Sequence, residues 1–538
     1  MKRLGISDIK QLSAIAPNFY IPSYGTRMTS SIYVRGIGSR MDQPVVALNV
    51  DNVPFLNKDM YDFDLPDIER IEVIRGPQAT LYGRNSMCGV VNIYTISPLR
   101  YQGLRAMISG KVGDPGLAAS LSYYSKLADN LGMSLSGGCR WNRGTIKNKF
   151  DGSYTGNTVD ANLRWRTAWR VSRNVNIDNT LSFGSSYQGG YPYEFSETRE
   201  VNYNDTCEYT RKSITDGLAI KWTTDRFTLS SITSVQWLDD KMTLDQDFLP
   251  ESFFTLVQKR RETGVTQDIV LRSITDGGRY EWIAGVFGYY RHTDMHAPVT
   301  FKETGIEKLI VDHRNEANPY YPIAWDDDTF VLGSEFVYPT KGVALYHQST
   351  LRLNKITISA GLRLDYEHSA LNYRSHCNTS YTIYNNTGEI PEVFDRRRAD
   401  IDDRGHLSRS FTRLLPKLTI STPLPMRSPG TLYFSVGEGY KSGGFNTQMF
   451  SDVLQQRIMG MMGLASLYSV DDIVTYKPEW SLNYELGANV TCAEGKVNSD
   501  LALFLIDCHD QQLTVFPSGT TTGRITANAG RTRSIGAE

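Results

Sequence analysis

From about residue 103 onward, apolar and polar residues alternate in long runs. Between Ile356 and Glu367, the residues Ile356, Ile358, Ala360, Leu362, Leu364 and Tyr366 share one parity, and Thr357, Ser359, Gly361, Arg363, Asp365 and Glu367 share the other. A period of two belongs to an extended strand, whose successive side chains point to opposite faces. Ala161, Leu163, Trp165, Trp169 and Val171 oppose Asn162, Arg164, Arg166 and Arg170 in the same way, and Met133, Leu135, Cys139 and Trp141 oppose Ser134, Ser136, Arg140 and Asn142. Each run therefore has an oily and a wet face. None of these oily faces carries an arginine, which at a bilayer midplane would cost roughly 2–4 kcal/mol.

These runs exceed the roughly 9–11 residues needed to cross a bilayer at a tilt, and the five or six usual in soluble sheets. The pattern predicts a mainly β chain built as a large antiparallel transmembrane β-barrel with roughly 16 recognisable strands. Trp282 to Tyr290 is apolar on both parities, as expected where something fills the lumen. Three segments, His296 to Glu335, Asn372 to Arg409 and Gly443 to Pro478, lack alternation and are too long for ordinary connections. They read as extracellular loops, and their aromatics, among them Tyr320, Tyr321 and Trp325, are candidates for ligand capture. Residues 1–98 show only short strands and many turns, which predicts a separate N-terminal module ahead of a barrel at 99–538.

Composition fits a barrel with a wet lumen: 31 tyrosines, 45 glycines and a mean hydropathy of −0.35. No run of eighteen apolar residues exists, so helical membrane spans are excluded. The balance of 57 basic against 58 acidic residues leaves a net charge of −1 and disfavours nucleic acid as a partner. Six cysteines without CxxC spacing argue against a zinc site; Cys492 and Cys508 flank an expected hairpin and are the pair worth testing for a bridge. His292 and His296 have a helical metal spacing, but on a strand such residues lie far apart. No GxSxG or HExxH motif occurs, so the chain reads as neither an enzyme nor a cofactor or metal protein. The start, Met1 to Asp8, has no apolar stretch of signal-peptide type.

Residues 66–98 carry the most specific signal. Their acidic strand, Arg75-Gly76-Pro77, the turn Tyr82-Gly83-Arg84-Asn85 and a glycine-led strand through Val90 to Thr95 resemble the plug signature of TonB-dependent outer-membrane receptors. Ser31 to Gly38 resembles the family's first arginine-glycine strand. Val45 to Pro54 resembles its hairpin, with Asp51-Asn52 in place of the usual Asp-Gly; asparagine tolerates the positive φ such a turn needs. Met87-Cys88 departs from the family's small residues and is expected to crowd the wall. Tyr440 to Asn446, Lys477 to Gly487, and Asn528 to Gly536 resemble barrel landmarks of the siderophore-receptor branch.

The resemblance implies an α+β plug inside the lumen and a monomeric barrel in the lipid of a bacterial outer membrane. It implies active import of a scarce solute, first a ferric siderophore and alternatively cobalamin, haem or a glycan. The coupling partner would be the TonB complex, acting through a TonB box expected to lie outside residues 1–538. Against roughly 22 strands in plugged transporters, the reading expects an incomplete barrel lacking about six C-terminal strands. Such a chain would not insert alone, which keeps a non-transporting surface protein or decayed receptor as a rival. The resemblance also implies a lock of two plug arginines, Arg35 and Arg75, on two barrel glutamates. Glu485 shares the wet parity of Ser481, Asn483 and Gly487; Glu438 shares the parity of Leu432, Phe434 and Val436 and points inward only across a bulge. Plug apices expected to face the ligand are Tyr24 and Arg27, then Arg40, Met41 and Asp42, then Phe55 and Asn57, a mixture suited to an anionic, partly aromatic solute.

Overall fold

The computed structural model describes residues 9–27, 31–39, 43–61, 67–275, 278–424, 430–447, 450–461, 469–492, 496–515, 525–528 and 530–538. An antiparallel wall starts at Gly103–Lys111 and returns strand by strand through Gly116–Ala128, Leu131–Asn142, Asn157–Arg170, Val175–Gly189, Glu208–Thr223, Phe227–Asp245, Phe254–Ser273 and Tyr280–His296. It continues through Phe330–Leu353, Ile356–Asn385, Glu392–Pro423, Gly430–Lys441, Glu479–Cys492 and Val497–His509 to Arg531–Ala537. Two three-residue segments, Val299–Phe301 and Ile323–Trp325, join it near the outer rim.

The strand order is a ring, which brings Arg531–Ala537 round beside Gly103–Lys111. Among the described residues, continuous ladders hold the other junctions between long strands, and no such ladder runs along this seam. Outward-facing Ile108 and Ile535 on the two seam strands are 79% and 76% exposed, against 45% for Leu364 in mid-wall.

The parity reading matches the wall. Leu362, Leu364 and Tyr366 are exposed on the outside while Arg363 and Glu367 are buried inside; Trp165 and Trp169 face out while Arg164 is buried. The strand that was apolar on both parities is explained by what meets its inner face. Phe287 lies 5.7 Å from the Arg363 guanidinium, and Tyr289 lies 4.8 Å from that of Arg84, which comes from the N-terminal module.

That module occupies the lumen. Its main sheet runs Val53–Pro54, Val46–Val50, Gly89–Thr95, Ile68–Arg75, with Val46–Val50 parallel to Gly89–Thr95 and the other pairs antiparallel. Asp51 and Asn52 both take positive φ, 49° and 70°, as the tight hairpin between Val46–Val50 and Val53–Pro54 requires. Its core of Val34, Leu48, Met87, Cys88 and Val91 is continuous with Phe504, Ile506 and Cys508 of the wall. Met87 is accommodated by a glycine: a Cβ on Gly439 would come within 2.7 Å of both Met87 Cγ and the Met87 carbonyl oxygen.

Two of the three expected loops contain irregular chain and short helices, such as Glu303–Ile306, Asp312–Ala317 and Phe450–Met461. The third is a correction. Asn372 to Arg409 is the upper part of one hairpin formed by Ile356–Asn385 and Glu392–Pro423. Above the bilayer no lipid demands an oily face, so the outward positions turn polar and the alternation fades while the ladder continues. Cys492 and Cys508 also fall apart: Cys492 pairs with Val497 at one end of the hairpin and Cys508 with Ser481, eleven rungs along. At roughly 3.3 Å per residue that separation precludes a disulfide.

Candidate functional site

The module is held to the wall by charged contacts at three levels. At the lowest, Tyr33–Val34 and Ile37–Gly38 are joined by Arg35 and Gly36 with φ of 53° and 78°, a two-residue turn of the type that puts both central residues in the left-handed region. The turn aims Arg35 at the wall. Its Nη1 donates to Glu485 Oε2 at 2.5 Å, and its Nε and Nη2 donate to the two carboxylate oxygens of Glu538, each at 3.1 Å. The guanidinium also lies 4.4 Å from the centroid of the Phe504 ring. Arg75 Nη1 reaches Glu538 Oε2 at 2.9 Å, and Tyr433 donates to Glu485 Oε1 at 2.6 Å. Gly76 makes the approach possible, since a Cβ there would sit 3.2 Å from both Arg35 Nη1 and Glu485 Oε2. The Arg35 side chain is only 3% exposed. Burial pulls its pKa down, but its hydrogen bonds to Glu538 and Glu485 outweigh that and hold it above the usual arginine value.

The structure therefore brings Arg35, Arg75 and Glu485 together and places Glu538 where Glu438 was expected. Glu438 pairs with Arg413 instead, and Arg413 lies 4.6 Å from the Trp480 ring. The ladder between Glu392–Pro423 and Gly430–Lys441 ends at Lys417 opposite Gly437, and just beyond it the Glu438 carboxylate meets Arg413, the rung partner of Asp365.

At the middle level Arg84, from the Tyr-Gly-Arg-Asn turn, donates to Glu367 Oε2 at 3.0 Å, to the Tyr289 hydroxyl, and to Gln43 Oε1 at 2.6 Å. Gly83, with φ of 74°, leaves room for the Arg363 guanidinium to pass. Lys441 Nζ donates to Ser39 Oγ at 2.6 Å beside this level. At the upper level Asp59 accepts from Arg260 Nη2 at 2.8 Å, and Arg260 is shared with Asp240 at 2.5 Å. Asn57 Nδ2 donates to Glu262 Oε1 at 3.1 Å, and Arg211 donates to the Asp59 carbonyl.

The expected ligand-facing residues fare unevenly. Arg27 is held by the wall, its Nη2 2.5 Å from Asp160 and its backbone N–H on Gln188. Tyr24 shares a hydrogen bond with Tyr33 at 2.8 Å. Phe55 is half-buried and lines a cavity of about 60 Å³ with Met60 and Arg164, and Asn57 is buried. Trp325 is a packing residue, stacked on Tyr381 at 5.5 Å with its Nε1 on Thr379; Tyr321 packs on Phe394, and Tyr320 alone of the three is well exposed. Arg40, Met41 and Asp42 lie outside the described residues.

What sequence reasoning missed had a signal. Glu538 continues the wet parity of Ser534 and Gly536, and Glu367 lay on the wet face already recognised. The arrangement as a whole is a plug seated on the wall by ion pairs and hydrogen bonds at three levels, beside the apolar contact with Phe504, Ile506 and Cys508.

Comparison with known proteins agrees with this geometry. Residues 1–90 match the TonB-dependent receptor plug domain, and residues 92–538 match the TonB-dependent receptor-like β-barrel. The pesticin receptor of Yersinia pestis is 24% identical over 560 residues, covering 99% of this chain and 70% of its own length. The vitamin B12 transporter of Vibrio cholerae is 26% identical over 201 residues, 34% of this chain and 32% of its own. Among solved structures, the ferric yersiniabactin uptake receptor from Yersinia pestis superposes with a TM-score of 0.75 at 20% identity, over 99% of this chain and 73% of that one. The unliganded ferric citrate transporter superposes at 0.69 and 16% identity, over 99% and 71%. With both modules matched in order, the chain belongs to the TonB-dependent receptor family.

Proposed function

We propose that this receptor imports a scarce solute, most simply a ferric siderophore, across the bacterial outer membrane, with the plug rearranged by the TonB complex. The observation that carries the reading is the interface just described: the module, bounded at about residue 98, is tethered by Arg35, Arg75, Glu485 and Glu538 inside a wet wall. A plug that only sealed the barrel would be served as well by apolar packing. One seated on discrete charges can be pulled free and can reseat. In this reading the four residues are the lock that coupling must open.

The siderophore assignment is supported by similar proteins that span nearly all of the chain, one a ferric yersiniabactin uptake receptor and another a siderophore receptor. Cobalamin is the second cargo, favoured by the shorter match to a vitamin B12 transporter. Tyr24, Arg27, Phe55, Asn57 and Tyr320 remain the described residues nearest to a ligand-facing role. The test is accumulation of radio-iron, presented as a panel of ferric siderophores, by cells expressing the receptor with and without functional TonB. TonB-dependent uptake of one complex is expected. No uptake of any ferric complex would overturn the siderophore reading, and labelled cobalamin uptake in the same cells would move the cargo assignment.

A further inference from the structure

A group of cations stands on the outside of the barrel, away from the plug. Tyr209, Arg211, Leu238, Asp240, Gln258 and Glu262 are buried on the inner face. Their neighbours Lys212, Asp239, Lys241, Lys259 and Arg261 must therefore point outward. Ladder pairing sets them side by side. Lys212 is opposite Asp239, Asp239 opposite Arg261, and Lys241 opposite Lys259. These five line a surface concavity of about 610 Å³ together with Trp237.

The charges in this patch are not mutually satisfied. Arg261 reaches Asp239 at 3.2 Å, and Lys241 turns to Glu208 at 2.9 Å. Asp294, opposite Arg261, is taken by His292 at 3.4 Å. Lys212 and Lys259 form no ion pair among the described residues. Like charges directly opposite one another in an antiparallel pair are destabilising; on the rung of Lys241 and Lys259, Glu208 meets Lys241 and the charge of Lys259 is left for an anion from outside.

Height identifies the anion. On the same strand as Lys212, the outward residues below it are Ile214, Asp216, Leu218, Ile220 and Trp222, with Asp216 capped by Asn179 Nδ2 at 2.9 Å. Val235 and Val265 extend that apolar face sideways. Lys212 lies ten residues above Trp222. That is roughly 33 Å along the strand and, at a tilt of about 40°, about 25 Å along the membrane normal, the height of a barrel's apolar band. The cations thus begin where the acyl region ends.

We propose that this outward patch binds a phosphorylated lipid of the surrounding leaflet, its phosphate held by Lys212, Lys259 and Arg261 and its acyl chains laid along Ile214, Val235 and Val265. The proposal rests on the barrel lying in a bilayer, not on its cargo. Trp237 supplies a probe within the concavity. The purified receptor in detergent is titrated with brominated-chain phosphatidic acid and, in parallel, with phosphatidylcholine carrying the same chains. Quenching is compared with that of a Trp237→Phe variant to isolate the Trp237 signal. At least tenfold stronger binding of phosphatidic acid is expected. The triple variant Lys212→Ala, Lys259→Ala, Arg261→Ala should lose that preference while keeping its far-ultraviolet circular dichroism, since all three side chains are exposed. Equal quenching by both lipids, an unchanged preference in the triple variant, or full competition by inorganic phosphate at matched concentration would each overturn it, the last by showing a free-anion site. Insertion into vesicles, read by protease protection, is scored separately, so a failed preference is distinguishable from a failed barrel.

Discussion

Replacing Arg35 by alanine removes three charge-assisted hydrogen bonds, one at 2.5 Å and two at 3.1 Å. Two carboxylates are left behind in a poorly hydrated place. Breaking a buried ion pair by deleting one partner costs about 3–5 kcal/mol, because the surviving charge is uncompensated. Two features set this case at the lower end. Glu538 keeps Arg75, and Glu485 keeps Tyr433 while bordering a cavity of about 170 Å³ that water can enter. A loss of about 3 kcal/mol at roughly 1.4 kcal/mol per decade corresponds to about a hundredfold increase in local opening. Amide hydrogen exchange across Tyr33–Gly38 and Gly89–Thr95, measured on the receptor in detergent, should accelerate by about that factor in R35A. R413A, which removes the partner of Glu438, should leave those amides unchanged. Equal exchange in R35A and the parent would refute the lock, and acceleration in R413A as well would show a general loosening of the wall.

At the upper level, Arg260→Ala leaves Asp240 to the Tyr209 hydroxyl and Asp59 to Lys58 and should expose the plug apex to exchange by an amount worth about 3 kcal/mol, whereas Asp59→Ala leaves Arg260 on Asp240 and should cost roughly 1 kcal/mol; equal effects would refute that division. Gly439→Ala drives a methyl into Met87 Cγ and the Met87 carbonyl oxygen and should lower thermal stability by roughly 1–3 kcal/mol; the backbone contact means that Met87→Ala should fail to restore it, and full rescue would contradict the packing. Cys492 is exposed while Cys88 and Cys508 are buried, so a maleimide should label Cys492 in the folded receptor and reach the other two only after denaturation; protection of Cys492 would show the hairpin to be misplaced.

How far the chain could be read without coordinates depended on what surrounds each residue. Within the bilayer, lipid on one side and water on the other impose alternation, so Leu362, Leu364 and Arg363 announce their faces. Above it the outer side meets water and the inner side packs on loop residues, so the strands around Arg374 and Asp402 lose the signal though their ladder persists. Charge partners across the lumen are legible only as faces. Glu485 and Glu367 are on the right side by parity; the resemblance supplied Arg35 and Arg75 for the first, but nothing in sequence says that Arg84 meets the second. Glu438 shows the converse: the resemblance made it a candidate for the lock, and its carboxylate is spent on Arg413. Trp325 looked like a ligand platform because an aromatic in a loop has the same sequence signature whether it waits for a solute or fills a small core.

The hairpin of Ile356–Asn385 and Glu392–Pro423 reaches furthest. A strand of 32 residues is roughly 100 Å long, and about ten residues suffice to traverse the hydrocarbon. Most of its length stands clear of the bilayer, its first strand laddered to Phe330–Leu353 as far as His376 and, near the upper end, to Ile323–Trp325 through Tyr381–Ile383. Antibodies, phage and capsular polymers meet its tip well before they meet the barrel mouth, so encounters with large particles are decided at a different radius from the capture of a small nutrient.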